Sequence, residues 1–175
     1  MALKKIFALG IGHNTPVCID LALACDYVIE GLYHFDDSRT GEQDHGFKIL
    51  GSFDDLWKKE SLEGMSFLLT MGDSQKRAEL AHKIISMNGK VPTLIHPTAV
   101  ISHFARISSV GVYIYPFSYV QADSVIEENT TLLSHVNISH NTKIGKNCFF
   151  AGGAILGAYA EVQDFTFVGQ GALIV

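Results

Sequence analysis

From residue 114 to the end of the chain, a large apolar residue returns every six positions. Ile114, Val120, Ile126, Leu132, Ile138, Ile144, Phe150, Leu156, Val162, Val168 and Ile174 form the series without interruption. In a chain that is 47% hydrophobic, eleven such residues at one phase arise by chance about once in four thousand trials. Two positions before each stands a side chain no larger than valine: Val112, Ser118, Ser124, Thr130, Val136, Thr142, Cys148, Ala154, Ala160, Thr166 and Ala172. Neither the 3.6-residue period of a helix nor the two-residue period of a strand produces this spacing. One large and one small inward residue suit a short strand followed by a sharp bend. Three such units close a triangular coil, and stacked coils bury the large residues in a column. The pattern predicts a β-helix over residues 95–175, with room for about four and a half coils. Ile95, Ile101 and Ile107 continue the series upstream, with one extra residue before Ile114, read as a β-bulge.

Before residue 95 the pattern changes. Apolar runs at "KKIFALGI", "YVIEGLYHF" and "MSFLLTMG" read as strands alternating with helical segments, as in a parallel α/β sheet. Thr15 is placed to cap the first helix, with Pro16 at its first position. A later helix starts near Asp73 or Ser74 and ends before Gly89, with Leu80, Ile84 and Ile85 on its apolar face and Arg77 toward solvent. "SFDDLWKKE" reads as a short helix between them. The division is therefore an α/β domain over 1–94 and a β-helix over 95–175.

Charge and cysteine usage remove several functions. A formal net charge of -5 leaves no broad cationic surface for a nucleic-acid backbone. The opening "MALKKIFALGIGHNTP" is unlike a signal peptide, and no apolar run reaches membrane-spanning length, so a soluble cytoplasmic protein without membrane insertion is expected. Cys18, Cys25 and Cys148 are scattered along the chain, which suits small core residues better than a disulfide framework or a cysteine zinc site.

The order "IFALGIG", "YHFDDS", "TMGDSQKR", "LIHPTAVIS", then hexapeptides containing "HNTKIG", resembles the NeuD/PglD-type sugar acyltransferases over nearly the whole chain. The resemblance implies a Rossmann-like nucleotide-sugar-binding domain followed by a left-handed β-helix. It also implies a homotrimer that takes acetyl-CoA, or another acyl-CoA, in a groove between subunits, with no metal. Under it the chain acylates a nucleotide-linked amino sugar, and His140 in "ISHNTKIG" falls at the general-base position. An imidazole suits proton removal near neutral pH. Relatives usually follow this histidine with an acid, whereas this chain has Asn141, whose carbonyl can fix the tautomer without stabilising an imidazolium as a carboxylate does. Phe149 stands where some relatives carry a second histidine. One coil beyond His140, the amide of Gly157 or Ala158 is a candidate oxyanion donor, and Lys143 and Lys146 are candidates for CoA or substrate phosphates. In the N-terminal domain, Gly10, Gly12, His13 and Asn14 follow a strand and open a helix, a place where backbone amides meet phosphate. Asp36 and Asp37 resemble the family's contacts to base and ribose, and Gly72 and Asp73 its sugar-pocket loop.

Three other readings stand beside this one. A sialic acid-type O-acetyltransferase would use the same parts. His135 and His140, five residues apart, also resemble the zinc ligands of γ-class carbonic anhydrases. Counting back two coils from His135, however, reaches Ala99 or Thr98, and His96 and His103 are read as out of register. On the first reading His135 lines the subunit interface. A non-catalytic nucleotide-sugar-binding or structural protein is suggested by Asn141, Phe149 and an ending, "GQGALIV", that falls inside the repeat as if the domain were truncated.

Overall fold

A computed structural model describes residues 3–175 and divides them at Pro92/Thr93 into two compact units. Met1 and Ala2, the start of the opening segment, lie outside the described residues.

The N-terminal unit contains β1 (Lys4–Leu9), α1 (Thr15–Ala24), β2 (Tyr27–His34), β3 (Gln43–Asp44), β4 (Phe47–Ser52), α2 (Phe53–Trp57), β5 (Phe67–Leu69) and α3 (Ser74–Ser86). Its sheet order is β3-β4-β2-β1-β5, parallel except for the antiparallel edge pair β3–β4. Leu9, Phe67 and Leu69 form one core with Leu56 of α2 and Leu80, Ala81 and Ile84 of α3. Strand alternation turns Ile6, Ala8 and Leu68, also buried, to the opposite face. There α1 packs against β2 and β5. The three predicted strands are all present. The pair β3–β4 was not anticipated, because "GFKILGS" is short and bounded by glycines that read equally as loop.

Local details differ from expectation. Thr15 is the first helical residue of α1 rather than its cap, and Asn14 at the N-cap makes no side-chain capping bond. In α3, Ile85 is 46% exposed while Arg77 is buried. The 100° helical step puts Arg77, Leu80, Ala81 and Ile84 on the inward arc and carries Ile85 past its edge. The helix α2 is capped by a reciprocal box in which Ser52 Oγ accepts from Asp55 N–H, and the Asp55 carboxylate accepts from Ser52 N–H, each at 3.1 Å.

The C-terminal unit is a left-handed parallel β-helix of two-residue strands in three ladders. One ladder runs through Val100–Ile101, Tyr119–Val120, Asn137–Ile138, Ile155–Leu156 and Leu173–Ile174. The second runs through Arg106–Ile107, Val125–Ile126, Lys143–Ile144 and Glu161–Val162, and the third from Leu94–Ile95 to Phe167–Val168. Every repeat position from Ile114 to Val168 is buried, with Ile174 partly so. The small positions lie inside too, and three of their hydroxyls are satisfied across the coil: Ser118 donates to Leu133 O at 2.9 Å, Ser124 to Ser139 O at 2.9 Å and Thr130 to Gly145 O at 3.0 Å, whereas the buried Thr142 hydroxyl has no such partner.

Register locates the extra residue. Ile95, Ile101 and Ile107 pair with Ile114, Val120 and Ile126, nineteen positions on, while later pairs such as Tyr119 with Asn137 are eighteen apart. The insertion lies at the corner between Ile107 and Tyr113, not in a strand. It is therefore a widened bend rather than the expected β-bulge. From Phe117 onward each corner contains a residue with positive φ, spaced six apart: Phe117, Asp123, Asn129, His135, Asn141, Asn147, Gly153, Tyr159, Phe165 and Gly171. Asparagine and glycine tolerate this conformation best, so Asn141, with φ 59°, has a conformational reason for its place as well as a chemical one.

Candidate functional site

The N-terminal unit has a pocket of about 600 Å³ lined by Gly10, Ile11, Gly12, His13, Asn14, Phe35, Phe53, Thr70, Met71, Gly72 and Lys76. It opens at the carboxyl ends of β1, β2 and β5. The strand order reverses between β1 and β5, the switch point where open α/β sheets hold ligands. Glycine is required at Gly10, where φ is +99° and a Cβ would lie 2.9 Å from Thr70 Oγ1. Thr70 Oγ1 is shared between Leu9 O and Gly10 O, 2.9 Å from each, and ties the β5 end to the β1 end. A Cβ on Gly72 would come within 2.9 Å of Asn14 Nδ2, so this glycine admits the Asn14 amide to the pocket floor.

Five of the eight residues expected here, Gly10, Gly12, His13, Asn14 and Gly72, line the pocket. The three acids do not. Asp36 caps a short 3-10 turn by accepting from Ser38 N–H at 2.9 Å, and the Ser38 hydroxyl first, then this amide, hold its carboxyl below the usual range. Asp37 begins that turn. Asp73 caps α3, accepting from the amides of Gln75 at 2.9 Å and Lys76 at 3.1 Å. Helix starts attract acids for their own unsatisfied amides, which explains these positions without a ligand. The phosphate loop is also less open than its sequence suggests. Gly10 N–H donates to Tyr33 O, Gly12 N–H donates to Thr15 Oγ1 at 2.9 Å, and Thr15 N–H donates to Gly12 O. Lys76, Phe35, Phe53, Thr70 and Met71 were missed because their strand and helix ends converge only when the sheet is assembled. Beside the pocket, His34 is nearly buried with Nδ1 unpartnered; burial, aided by Arg39, lowers its pKa.

In the β-helix His140 is exposed at a corner. Its Nδ1 lies 2.9 Å from Asn141 Oδ1. An amide oxygen only accepts, so this contact assigns the proton to Nδ1 and leaves the Nε2 lone pair outward. Register puts Ala122 one coil before His140 and Ala158 one coil after it, and two methyl side chains leave space around the imidazole. His103 stands in this column two coils before His140, so it shares a register that counting by six alone concealed. Tyr159 meets the imidazole edge-on, with ring centroids 5.4 Å apart at 87°.

The other coil candidates are redistributed. Gly157 N–H donates to Ile174 O at 2.7 Å within the ladder and is unavailable to an oxyanion. Among the described residues no hydrogen bond engages the Ala158 amide. Lys143 and Lys146 are not presented singly: Lys143 Nζ is 2.6 Å from Glu161, and Lys146 Nζ is 2.9 Å from Glu128, which raises the Lys146 pKa. His135 occupies a different corner, φ 63°, where its ring packs on Phe117 at 5.1 Å. Below Phe117 in that column lies Thr98, whose hydroxyl accepts from Phe117 N–H at 3.3 Å, so two coils upstream of His135 this chain offers no imidazole. Among the described residues no three His, Cys, Asp or Glu side chains converge as metal ligands would, and no helix is long and apolar enough to cross a membrane.

Comparison with known proteins agrees with both units. Residues 5–84 match the PglD N-terminal domain family. Over 179 aligned residues the chain is 26% identical to GDP-perosamine N-acetyltransferase of Escherichia coli O157:H7, spanning 99% of this chain and 78% of that protein. A more local likeness, 41% identity over 69 residues, links 39% of the chain to 24% of the acyl-[acyl-carrier-protein]–UDP-N-acetylglucosamine O-acyltransferase of Mesorhizobium japonicum. Among solved structures, the acetyltransferase domain of PglB from Neisseria gonorrhoeae, in complex with acetyl coenzyme A, superposes with a TM-score of 0.76 at 26% identity, covering 99% of this chain and 92% of that one. PerB from Caulobacter crescentus, in complex with CoA and GDP-perosamine, shares the fold at a TM-score of 0.64 and 20% identity, over 99% of this chain and 90% of that one. The α/β unit with its switch-point pocket, the hexapeptide coil and these likenesses make the chain similar along its length to sugar acetyltransferases, with the PglD N-terminal domain matched over residues 5–84.

Proposed function

We propose that the protein transfers an acetyl group from acetyl-CoA to the amino group of a nucleotide-linked amino sugar, with His140 as general base. The observation that carries this reading is the His140–Asn141 pair: Nδ1 is held at 2.9 Å with alanines, Ala122 and Ala158, one coil to either side, and Nε2 left open. The acceptor amine attacks the thioester carbonyl carbon, and His140 Nε2 takes the proton released as the C–N bond forms. The Ala158 amide donates to the oxygen that gains charge. The C–S bond then breaks, and the CoA thiolate leaves with the proton that His140 returns. In the N-terminal pocket Lys76 supplies a cation for the diphosphate, and Phe35, Phe53 and Met71 supply apolar walls. This assigns nucleotide-sugar binding to the domain over 1–94 and acyl transfer to the β-helix over 95–175.

The proposal includes a homotrimer with the donor groove between neighbouring β-helices. Outward residues support it: one ladder exposes Val100, Tyr119, Ile155 and Leu173 to between 40% and 64%, with Asn137 as its one polar position, whereas another carries Arg106, Lys143 and Glu161 around Val125. An aligned apolar face of this kind is what association buries.

The test is a panel of nucleotide-linked amino sugars and acyl-CoAs, read by mass spectrometry, with wild type, His140→Ala and His135→Ala. His140→Ala should lower kcat by about a hundredfold to ten-thousandfold with KM little changed, and His135→Ala should do much less. Product formation by His140→Ala at the wild-type rate would remove the base assignment. Acylation confined to hydroxyl acceptors would convert the reading to O-transfer by the same base.

A further inference from the structure

Tyr159 is not explained by its backbone. Its φ is +65°, a left-handed conformation that is unfavourable for a bulky side chain. Equivalent corners are filled by Asn129, Asn147, Gly153 and Gly171, which adopt it readily, and also by Phe117 and Phe165, so the repeat admits an aromatic here and it is the contact with His140 that sets Tyr159 apart. Nor is it explained by the core, since Tyr159 is 72% exposed. What the corner does achieve is placement. Tyr159 N–H donates to His140 O at 3.2 Å, and its ring meets the imidazole edge-on at 5.4 Å. An exposed ring that has no core role and packs edge-on against the proposed base is a reasonable place to look for function.

We propose that Tyr159 is a positioning residue for His140, the second of two contacts that hold the imidazole in its working orientation. Asn141 Oδ1 fixes the tautomer and one edge of the ring. A single hydrogen bond still leaves the imidazole free to swing about that contact. The Tyr159 ring closes this freedom from the next coil, while Ala122 and Ala158 leave the Nε2 side clear. Such a contact matters more here than beside a charged partner, because a neutral amide holds a histidine less firmly than a carboxylate does. The aromatic ring, not the hydroxyl, makes the contact, so phenylalanine should replace tyrosine.

This inference rests on His140 being the base, and its test separates the two. In carbon-detected NMR of the full chain with labelled histidine, the His140 ring signals should carry a ring-current shift that disappears in Tyr159→Ala and persists in Tyr159→Phe, whatever reaction is catalysed. In acyl-transfer assays Tyr159→Ala and Tyr159→Gly should lower kcat by about three- to tenfold, the usual worth of an aromatic pair, with KM for both substrates nearly unchanged. Tyr159→Phe should restore the rate. Glycine suits the corner, so Tyr159→Gly keeps the test valid if alanine perturbs the fold. Wild-type kcat in Tyr159→Gly, alongside an inactive His140→Ala, would overturn the positioning role and leave the base assignment standing. A rise in KM at constant kcat would overturn it too, by showing that Tyr159 contacts substrate. Full activity in His140→Ala would remove the base assignment, and the positioning role with it.

Discussion

Asn141 combines two roles that substitution can separate. Its backbone turns the corner at φ 59°, and its side-chain oxygen holds His140 Nδ1 at 2.9 Å. Asn141→Gly retains the corner and deletes the hydrogen bond. A solvent-accessible neutral hydrogen bond contributes about 0.5–1.5 kcal/mol net, and about 1.4 kcal/mol is a factor of ten. The correctly held imidazole should therefore become two- to tenfold rarer, roughly, and kcat should fall by that factor with the melting temperature preserved. Asn141→Asp retains both the corner, since Asp123 occupies the equivalent place at φ 60°, and the acceptor. A carboxylate stabilises the imidazolium formed during transfer, so the pH–rate profile should move upward. The site is exposed, so the displacement should be under about one unit and should shrink as salt is raised. Asn141→Val loses the hydrogen bond and imposes about 1–2 kcal/mol of left-handed strain, a loss of roughly 2–8 °C in melting temperature for a chain of this size. Steady-state kinetics over pH at two ionic strengths, with thermal melts of each variant, make the comparison. Wild-type kcat in Asn141→Gly, or an unmoved profile in Asn141→Asp, would show that Asn141 only turns the corner.

Lys76→Ala should weaken nucleotide-sugar binding by about three- to tenfold, more at low salt, without changing affinity for acyl-CoA; calorimetry at two salt concentrations checks it, and an unchanged Kd would move the phosphate contact elsewhere. Burial lowers the His34 pKa, so the unfolded chain binds the extra proton first. Stability from this group is full above about pH 6.5 and is lost as pH falls toward the lower folded value; denaturant titrations should show His34→Leu with a shallower acid loss than wild type, and parallel curves would contradict this. Phe150 is fully buried in the coil column, so Phe150→Ala should cost about 3–5 kcal/mol, measured by denaturation; a loss under 1 kcal/mol would mean that the coil collapses into the cavity.

How much of this was legible in one dimension depended on how local the cause was. The β-helix was legible because its core is periodic along the chain: each coil returns the next residue of the series to the axis, so burial at Ile114, Val120 and Ile126 repeats in the sequence as it does in space. The three main strands and the family order were legible for a similar reason, since each is a contiguous run. His140 was singled out by the family resemblance carried in "ISHNTKIG", not by the period. The acids at 36, 37 and 73 were ambiguous in sequence because a helix start and a ligand contact call for the same residue type, and the folded chain shows the capping bonds of Asp36 and Asp73 to the Ser38, Gln75 and Lys76 amides.

Tertiary structure decided everything that depended on convergence. Lys76, Phe35 and Phe53 share a pocket with Gly10 and Gly72 only because the switch-point sheet brings distant strand and helix ends together. The extra residue before Ile114 changes the first coil's register to nineteen, which places His103 in the His140 column and selects Thr98 over Ala99, the two positions that counting had left open beneath Phe117. Gly157 lost its proposed role to a ladder bond with Ile174, and Tyr159 gained one through a ring contact across coils. The sequence alone determined the period, the composition and the order of the segments, because these are properties of neighbours along the chain. Which amides, cations and rings remain available for chemistry is settled by partners far apart in the chain, and those exist only once it has folded.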